Sequence, residues 1–310
     1  MKYDLGFGNS FLVRELLFEK KGISIKAFNP GSFDYDSTET QQKVIDLAKY
    51  VFSTFMGIRP YYVGLSHGAT GGITAAIRSS GASQIIYSKH YFPYYPKMVA
   101  ISKNSGIDGV LQIIDSPSNP EGLLRSSKIG FSHYTVFDGA YHNPIYLPLH
   151  KGFHVPQHDV AVGSFGKLFG LNGIRLGFYG TDSVFFHSKM EENILSETAG
   201  LSVPGMELLL ERVRDLNIVD FTIEAGRRMD DNRNELSRLE RFFESPVPDC
   251  GMFYFPVAEP MVRELLEKAG IKYIDGIDCG SFDGHIRLSL GQTRELTKEA
   301  VEAIIKADRV

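Results

Sequence analysis

The chain has 310 residues, of which 43% are hydrophobic and 23% charged, with a formal net charge of -4. That is long enough for a large core, long for one domain and short for two, and ordinary in composition for a soluble globular protein. The weak acidic balance offers no basic footprint for nucleic acid or an anionic membrane.

Two cysteines, Cys250 and Cys279, stand far apart and without metal-type spacing. This speaks against a disulfide framework or a zinc site and points to a reducing cytoplasm. The first residues lack a basic region followed by an apolar run, so no signal peptide is expected. No apolar stretch approaches the ~20 residues of a membrane helix, and no repeat or low-complexity segment is present.

In chain order, residues 1–35 read as a short arm, with a helical patch at Phe11 to Lys20 and a Gly/Pro/Asp loop from Asn29 to Tyr35. Thr38 to Met56 has the three-to-four apolar spacing of an amphipathic helix. Tyr61 to Leu65 is strand-like, and Gly68-Ala69-Thr70-Gly71-Gly72 leads from it into another helical run. Strands are expected at Gln84–Tyr87, Val110–Ile114, Tyr134–Asp138, His158–Gly163 and Ile174–Tyr179. Apolar strands alternating with helices imply a sheet covered on both faces, hence α/β. One long charged helical stretch is expected from Val203 to Glu244. Strands at Gly251–Pro256 and His285–Leu290, with a helix at Ala258–Lys268, then suggest a smaller α+β domain. The division expected is 36–202 for a large domain, with 1–35 and 203–310 forming the small one.

The densest chemical signal is Ser164-Phe-Gly-Lys-Leu-Phe-Gly-Leu-Asn-Gly-Ile-Arg-Leu-Gly177. Lys167 stands among Gly163, Gly166, Gly170 and Gly173, which allow close backbone approach to a ligand. A lysine desolvated among small and apolar residues becomes nucleophilic near neutral pH. Ser164 and Arg175 supply a hydroxyl and a charged fork suited to phosphate. A surface lysine is the plain reading of any lone Lys; these neighbours favour a Schiff-base lysine for pyridoxal phosphate (PLP).

Other segments complete such a site. Gly68, Ala69 and Thr70 open a helix whose free amides can bind an anion, or they form a simple turn. Asp138 ends an apolar strand, where ligands bind in α/β sheets; it either pairs with the PLP pyridine nitrogen or caps a helix. Tyr141 can hydrogen-bond the ring 3-oxygen. Asn119, in Ser118-Asn-Pro-Glu-Gly122, either donates to the same oxygen or belongs to a turn. Phe92, in an aromatic cluster from His90 to Tyr95, either stacks on the ring or packs in a core. Arg287 suits a substrate α-carboxylate, with a structural salt bridge as the alternative. His67 and His142 are expected in structural hydrogen bonds rather than at a metal.

Together these segments resemble the class I/II aminotransferases of fold-type I PLP-dependent enzymes. The match to Ser-x-Gly-Lys followed by Gly-x-x-Gly-x-Arg-x-Gly is specific, and the other motifs follow in the family's order from Gly68 to Arg287. The resemblance implies a large PLP-binding domain with a mainly parallel, seven-stranded-type sheet between helices. It also implies that Lys167 forms the internal aldimine, Asp138 pairs with the ring nitrogen, and Asn119 and Tyr141 bind the 3-oxygen. By the same resemblance Gly68, Ala69, Thr70, Ser164 and Arg175 bind phosphate, and Phe92 stacks on the ring. Arg287, with Asn119, grips the substrate carboxylate. A homodimer is implied, in which Tyr35 of the partner subunit reaches the phosphate. Two departures are a short Asn119–Asp138 interval and Phe92 where many relatives carry Tyr or Trp.

The activity expected is aminotransfer between an amino acid and a 2-oxo acid. A PLP-dependent lyase, decarboxylase or other amino-acid-modifying enzyme is the alternative, and a non-catalytic PLP-binding protein a further one. The ring anchors leave open which Cα bond breaks.

Overall fold

The computed structural model describes residues 2–6, 8–21, 38–102, 107–126, 130–152, 154–243 and 245–309. Strand β1 (Tyr3–Asp4) precedes helix α1 (Phe11–Lys21), whose Leu12, Val13, Leu16 and Leu17 form one buried face at helical spacing. Helix α2 (Thr38–Val51) buries Val44, Ala48 and Val51 and continues into a π turn, Phe52–Met56. The turn stops at Gly57, whose φ of 66° puts it in the left-handed region that favours glycine.

The main sheet contains β2 (Tyr62–Ser66), β3 (Ala82–Ile86), β4 (Ile107–Asp115), β5 (Tyr134–Asp138), β6 (Val160–Ser164) and β7 (Gly177–Thr181). Their order across the sheet is β2-β7-β6-β5-β4-β3. The pairs from β3 to β6 are parallel, while β7 runs antiparallel to both β6 and β2. The α/β architecture is therefore the expected one. Six strands occur among the described residues rather than seven, because the chain passes from β3 through helix α4 (Tyr95–Ile101) directly to β4.

Period-two alternation sends side chains to two cores. Val136, Val160 and Val162 face a layer that includes α3 (Gly68–Ser80), α4 and α6 (Val184–Thr198). Phe137 and Ala161 face the opposite layer of α1, α2, α5 (Phe165–Phe169), α7 (Val203–Val213) and α8 (Ile218–Ser237). Covering on both faces is why these strands read as continuous apolar runs.

The single helical stretch expected from Val203 to Glu244 is instead α7, α8 and α9 (Glu240–Phe243). Arg214 leaves the helical region (φ -56°, ψ 129°), Asp215 turns left-handed with φ 56°, and Asn217 then starts α8 by accepting the Asp220 N–H. The remaining elements are β8 (Phe253–Tyr254), α10 (Pro260–Lys268), β9 (Ile271–Lys272), β10 (Ile274–Asp275), β11 (Ile286–Ser289) and α11 (Arg294–Ala307). β10, β11 and β8 form an antiparallel sheet, and β1 pairs with β9. No helix among the described residues is long and apolar enough to cross a membrane.

Candidate active site

The parallel strands β4, β5 and β6 end at Asp115, Asp138 and Ser164, and all three residues line one cavity of about 650 Å³. That is where an α/β sheet binds ligands. Ala69, Thr70, Phe92, Asn119, Tyr141, Lys167, Arg175 and Arg287 line the same cavity. Of the residues expected from the sequence, Gly68 borders this group without lining it, and Tyr35 lies outside the described residues.

Lys167 sits in the short helix α5, directly after β6. Ser164 caps that helix, its Oγ accepting the Lys167 N–H at 3.3 Å. The Lys167 Nζ donates to the Gly8 carbonyl and stands 5.8 Å from the centre of the Tyr141 ring. Burial, reinforced by the charges of Arg287 and Arg175, pushes its ammonium down to about 7. The glycines around it serve packing more than ligand approach. A Cβ at Gly163 would run into the Phe178 ring, one at Gly170 into the Arg14 backbone, and one at Gly173 would meet open space.

Asp138 caps no helix. Its Oδ1 accepts the Ala140 N–H at 3.0 Å, and its Oδ2 accepts the Tyr95 hydroxyl at 2.7 Å. Burial pushes its carboxyl up to about 6 against the opposing pull of the Tyr95 bond. Tyr141 packs edge-on against Tyr146 and Phe253, and burial raises its phenol. Phe92 lies across the aromatic cluster, edge-on to Tyr95.

Gly68, Ala69 and Thr70 form the first turn of α3, whose N-cap residue His67 gives no side-chain cap. The first amides of a helix have no partner within it, so these suit an anion. Arg175 joins them from a left-handed backbone, φ 56°, steadied by its bond to the Asn172 carbonyl at 3.1 Å. A Cβ at Gly68 would come within 2.9 Å of the Arg175 Nη2, so the bare glycine is what admits the guanidinium.

Arg287 on β11 lies 4.2 Å above the Phe253 ring centre. Its Nη1 donates to Asn119 Oδ1 at 2.9 Å and its Nη2 to the Gly6 carbonyl at 3.4 Å. Its buried Nε has no hydrogen-bond partner among the described residues. No structural salt bridge holds this guanidinium among those residues, which leaves it suited to an incoming anion. The two histidines are tied into the framework, His67 Nε2 at 3.1 Å from Thr198 Oγ1 and His142 Nδ1 at 3.0 Å from the Ser116 carbonyl oxygen.

Among the residues that sequence reasoning missed, Gly8, Phe253 and Asp115 line the cavity, and Tyr95 supports it from behind. Tyr95 holds Asp138 from 43 residues away, and no local pattern links them. Gly8 and Phe253 arrive from opposite ends of the chain. Asp115 was within reach of a motif reading, since it precedes Asn119 by four residues and accepts its N–H at 2.9 Å.

Comparison with known proteins places these features in a family. Residues 78–234, half of the chain, match the Alliinase_C family model, described as allinase. A probable aspartate/prephenate aminotransferase of Thermus aquaticus is 26% identical over 216 residues, 63% of this chain and 56% of that protein. The chain spans a little over half the length of the curated aminotransferases it matches over the longest stretches. Among solved structures, BacF of Bacillus subtilis superposes with a TM-score of 0.75 at 16% identity, covering 98% of this chain and 90% of that one. A probable N-succinyldiaminopimelate aminotransferase of Thermus thermophilus gives 0.74 at 15% identity, covering 98% and 94%. The chain belongs to the allinase family, among the class I/II aminotransferases of fold type I.

Proposed function

We propose that this protein is a PLP-dependent aminotransferase that moves an amino group between an amino acid and a 2-oxo acid. One observation carries the reading. Lys167, Arg175 and Arg287, without a carboxylate partner among the described residues, line a single cavity that Asp138 also lines. Phosphate, an aldehyde and a substrate carboxylate together need such a set. The orphaned Arg287 Nε and the open first turn of α3 fit anions in the same way.

In this reading Ala69, Thr70, Ser164 and Arg175, with the amides from Gly68 onward, hold the PLP phosphate. Asp138 pairs with the ring nitrogen, Asn119 and Tyr141 take the 3-oxygen, Phe92 covers one ring face, and Lys167 holds the aldehyde carbon. When bound, PLP supplies an electron-withdrawing ring that makes the Cα–H of an amino acid acidic. Arg287 and Asn119 hold the substrate α-carboxylate and so orient Cα. Once the substrate amine has taken its place at the aldehyde carbon, Lys167 Nζ, whose ammonium burial pushes down to about 7, would take the proton from Cα and deliver it to that former aldehyde carbon. Burial pushes the Asp138 carboxyl up to about 6, and the Tyr95 hydroxyl bond favours its charged form. The names of the similar curated proteins favour transamination over lyase or decarboxylase chemistry. A cytoplasmic homodimer, with Tyr35 of the partner subunit at the phosphate, and domains at 36–202 and 1–35 plus 203–310 complete the reading.

The test is to load the purified chain with PLP and supply amino donors with a 2-oxo acid acceptor. Oxo acid should form from the donor without net ammonia or CO2. Lys167→Ala should abolish the absorbance of lysine-bound cofactor and lower turnover by at least ~10²-fold, the size of a lost general base. Turnover surviving that substitution, or ammonia or CO2 as the product, would overturn the reading.

A further inference from the structure

A ring of contacts that shares only Asn119 with the cofactor anchors runs from the end of β4 to β11. At the end of β4, Asp115 Oδ2 accepts the Asn119 N–H at 2.9 Å, and Asn119 Oδ1 accepts Arg287 Nη1 at 2.9 Å. Two residues before Arg287, the His285 ring lies 5.3 Å from His90, and both rings pack on Phe255. His90 Nδ1 is 2.8 Å from Glu121 Oε1. Arg125 then bridges Glu121 and Asp115, one guanidinium nitrogen to each carboxylate, and closes the ring.

We propose that Asp115, Arg125, Glu121 and His90 are positioning residues that hold Arg287 and Asn119 in register for a substrate α-carboxylate. The inference rests on the reading of Arg287 as the carboxylate grip. The Arg287 side chain is held by Asn119, and its strand is braced two residues earlier where His285 packs with His90 and Phe255. Asn119 thus orients the guanidinium itself and the His285 packing fixes the strand that carries it, and a bidentate carboxylate contact depends on both. A buried ion pair is weak evidence for stability alone, and its best-attested use is to specify one arrangement. Asp115 is buried, which raises its carboxyl, and Arg125 is the charge that opposes the rise. Without Arg125 the carboxylate that holds the Asn119 backbone would drift toward its protonated form, and the loop would lose its anchor.

The experiment uses the PLP-loaded chain and 3-phenylpropionate, a carboxylate with no amine and so no turnover, titrated by calorimetry. Arg125→Met should raise its Kd at least five-fold and weaken PLP binding by a smaller factor, because Asn119 is one of two anchors for the carboxylate but one of many for PLP. In an Arg287→Lys background the same substitution should add less than two-fold, because the residue it positions is already altered. A Kd within two-fold of the parent for a folded Arg125→Met chain, or an equal loss in both backgrounds, would overturn the proposal. Should Arg125→Met not fold, Glu121→Gln, at the more exposed part of the ring, takes its place under the same criteria. Failure of the underlying reading looks different, since the parent chain itself would then bind neither PLP nor the carboxylate.

Discussion

At pH 7 Lys167 sits near the midpoint of its own titration, and the cause is placement. Enclosure takes its ammonium out of water, and two guanidinium groups add like charge. The folded chain therefore binds this proton more weakly than the unfolded chain, whose lysine titrates near its ordinary value. The resulting cost is full below about pH 7, falls as pH rises, and is gone above the ordinary lysine range. Lys167→Met should accordingly raise the thermal midpoint of the cofactor-free chain by several degrees at neutral pH. A gain that does not shrink between pH 7 and 11 would show that the charge is not its source. Lys167 still borders the open cavity, so water offsets part of the cost. These residue-scale roles could be read early, because a lysine between a hydroxyl and an arginine declares its chemistry at short range. Asp138 could be read only in part. Its carboxylate was visible at a strand end, but the Tyr95 hydroxyl that steadies it was not.

At the scale of elements, β7 runs so close to the start of α3 that no side chain fits between them. A Cβ on Gly177 would lie 2.5 Å from the Gly68 carbonyl carbon and 2.8 Å from the Ala69 nitrogen, all backbone that cannot swing aside. Gly177→Ala should thus cost about 1–3 kcal/mol, the range for overpacking, and should weaken PLP binding at least ten-fold by displacing the first turn of α3. Gly173→Ala, in open space four residues earlier, is the matched control and should leave both nearly unchanged. Denaturant melts and PLP titration of the pair decide the matter; equal behaviour would mean that the contact does not shape the phosphate end. The sequence showed strands and helices here because their apolar periods are local. It did not show where Val203 to Glu244 breaks, since charged residues continue through the breaks and only Asp215 and Asn217 mark one of them.

For the whole molecule, the candidate site is shared among distant parts of the chain. Gly8 near the amino terminus, the ends of β4 to β6, and Arg287 on β11 face one cavity. The proposed dimer extends this sharing to a second copy. Sedimentation should give twice the chain mass at micromolar concentration, and Tyr35→Phe should weaken PLP binding several-fold; a fully active monomer would exclude the shared site. By itself the sequence determined the α/β class and picked out the lysine-centred residues that line the cavity, because apolar period and short motifs act over a few residues. Only the tertiary structure brought Tyr95 to Asp138, and Asp115 and Arg125 to the loop of Asn119. Their partners lie on separate strands, helices and loops, and burial, which makes their charges matter, arises only when the chain packs.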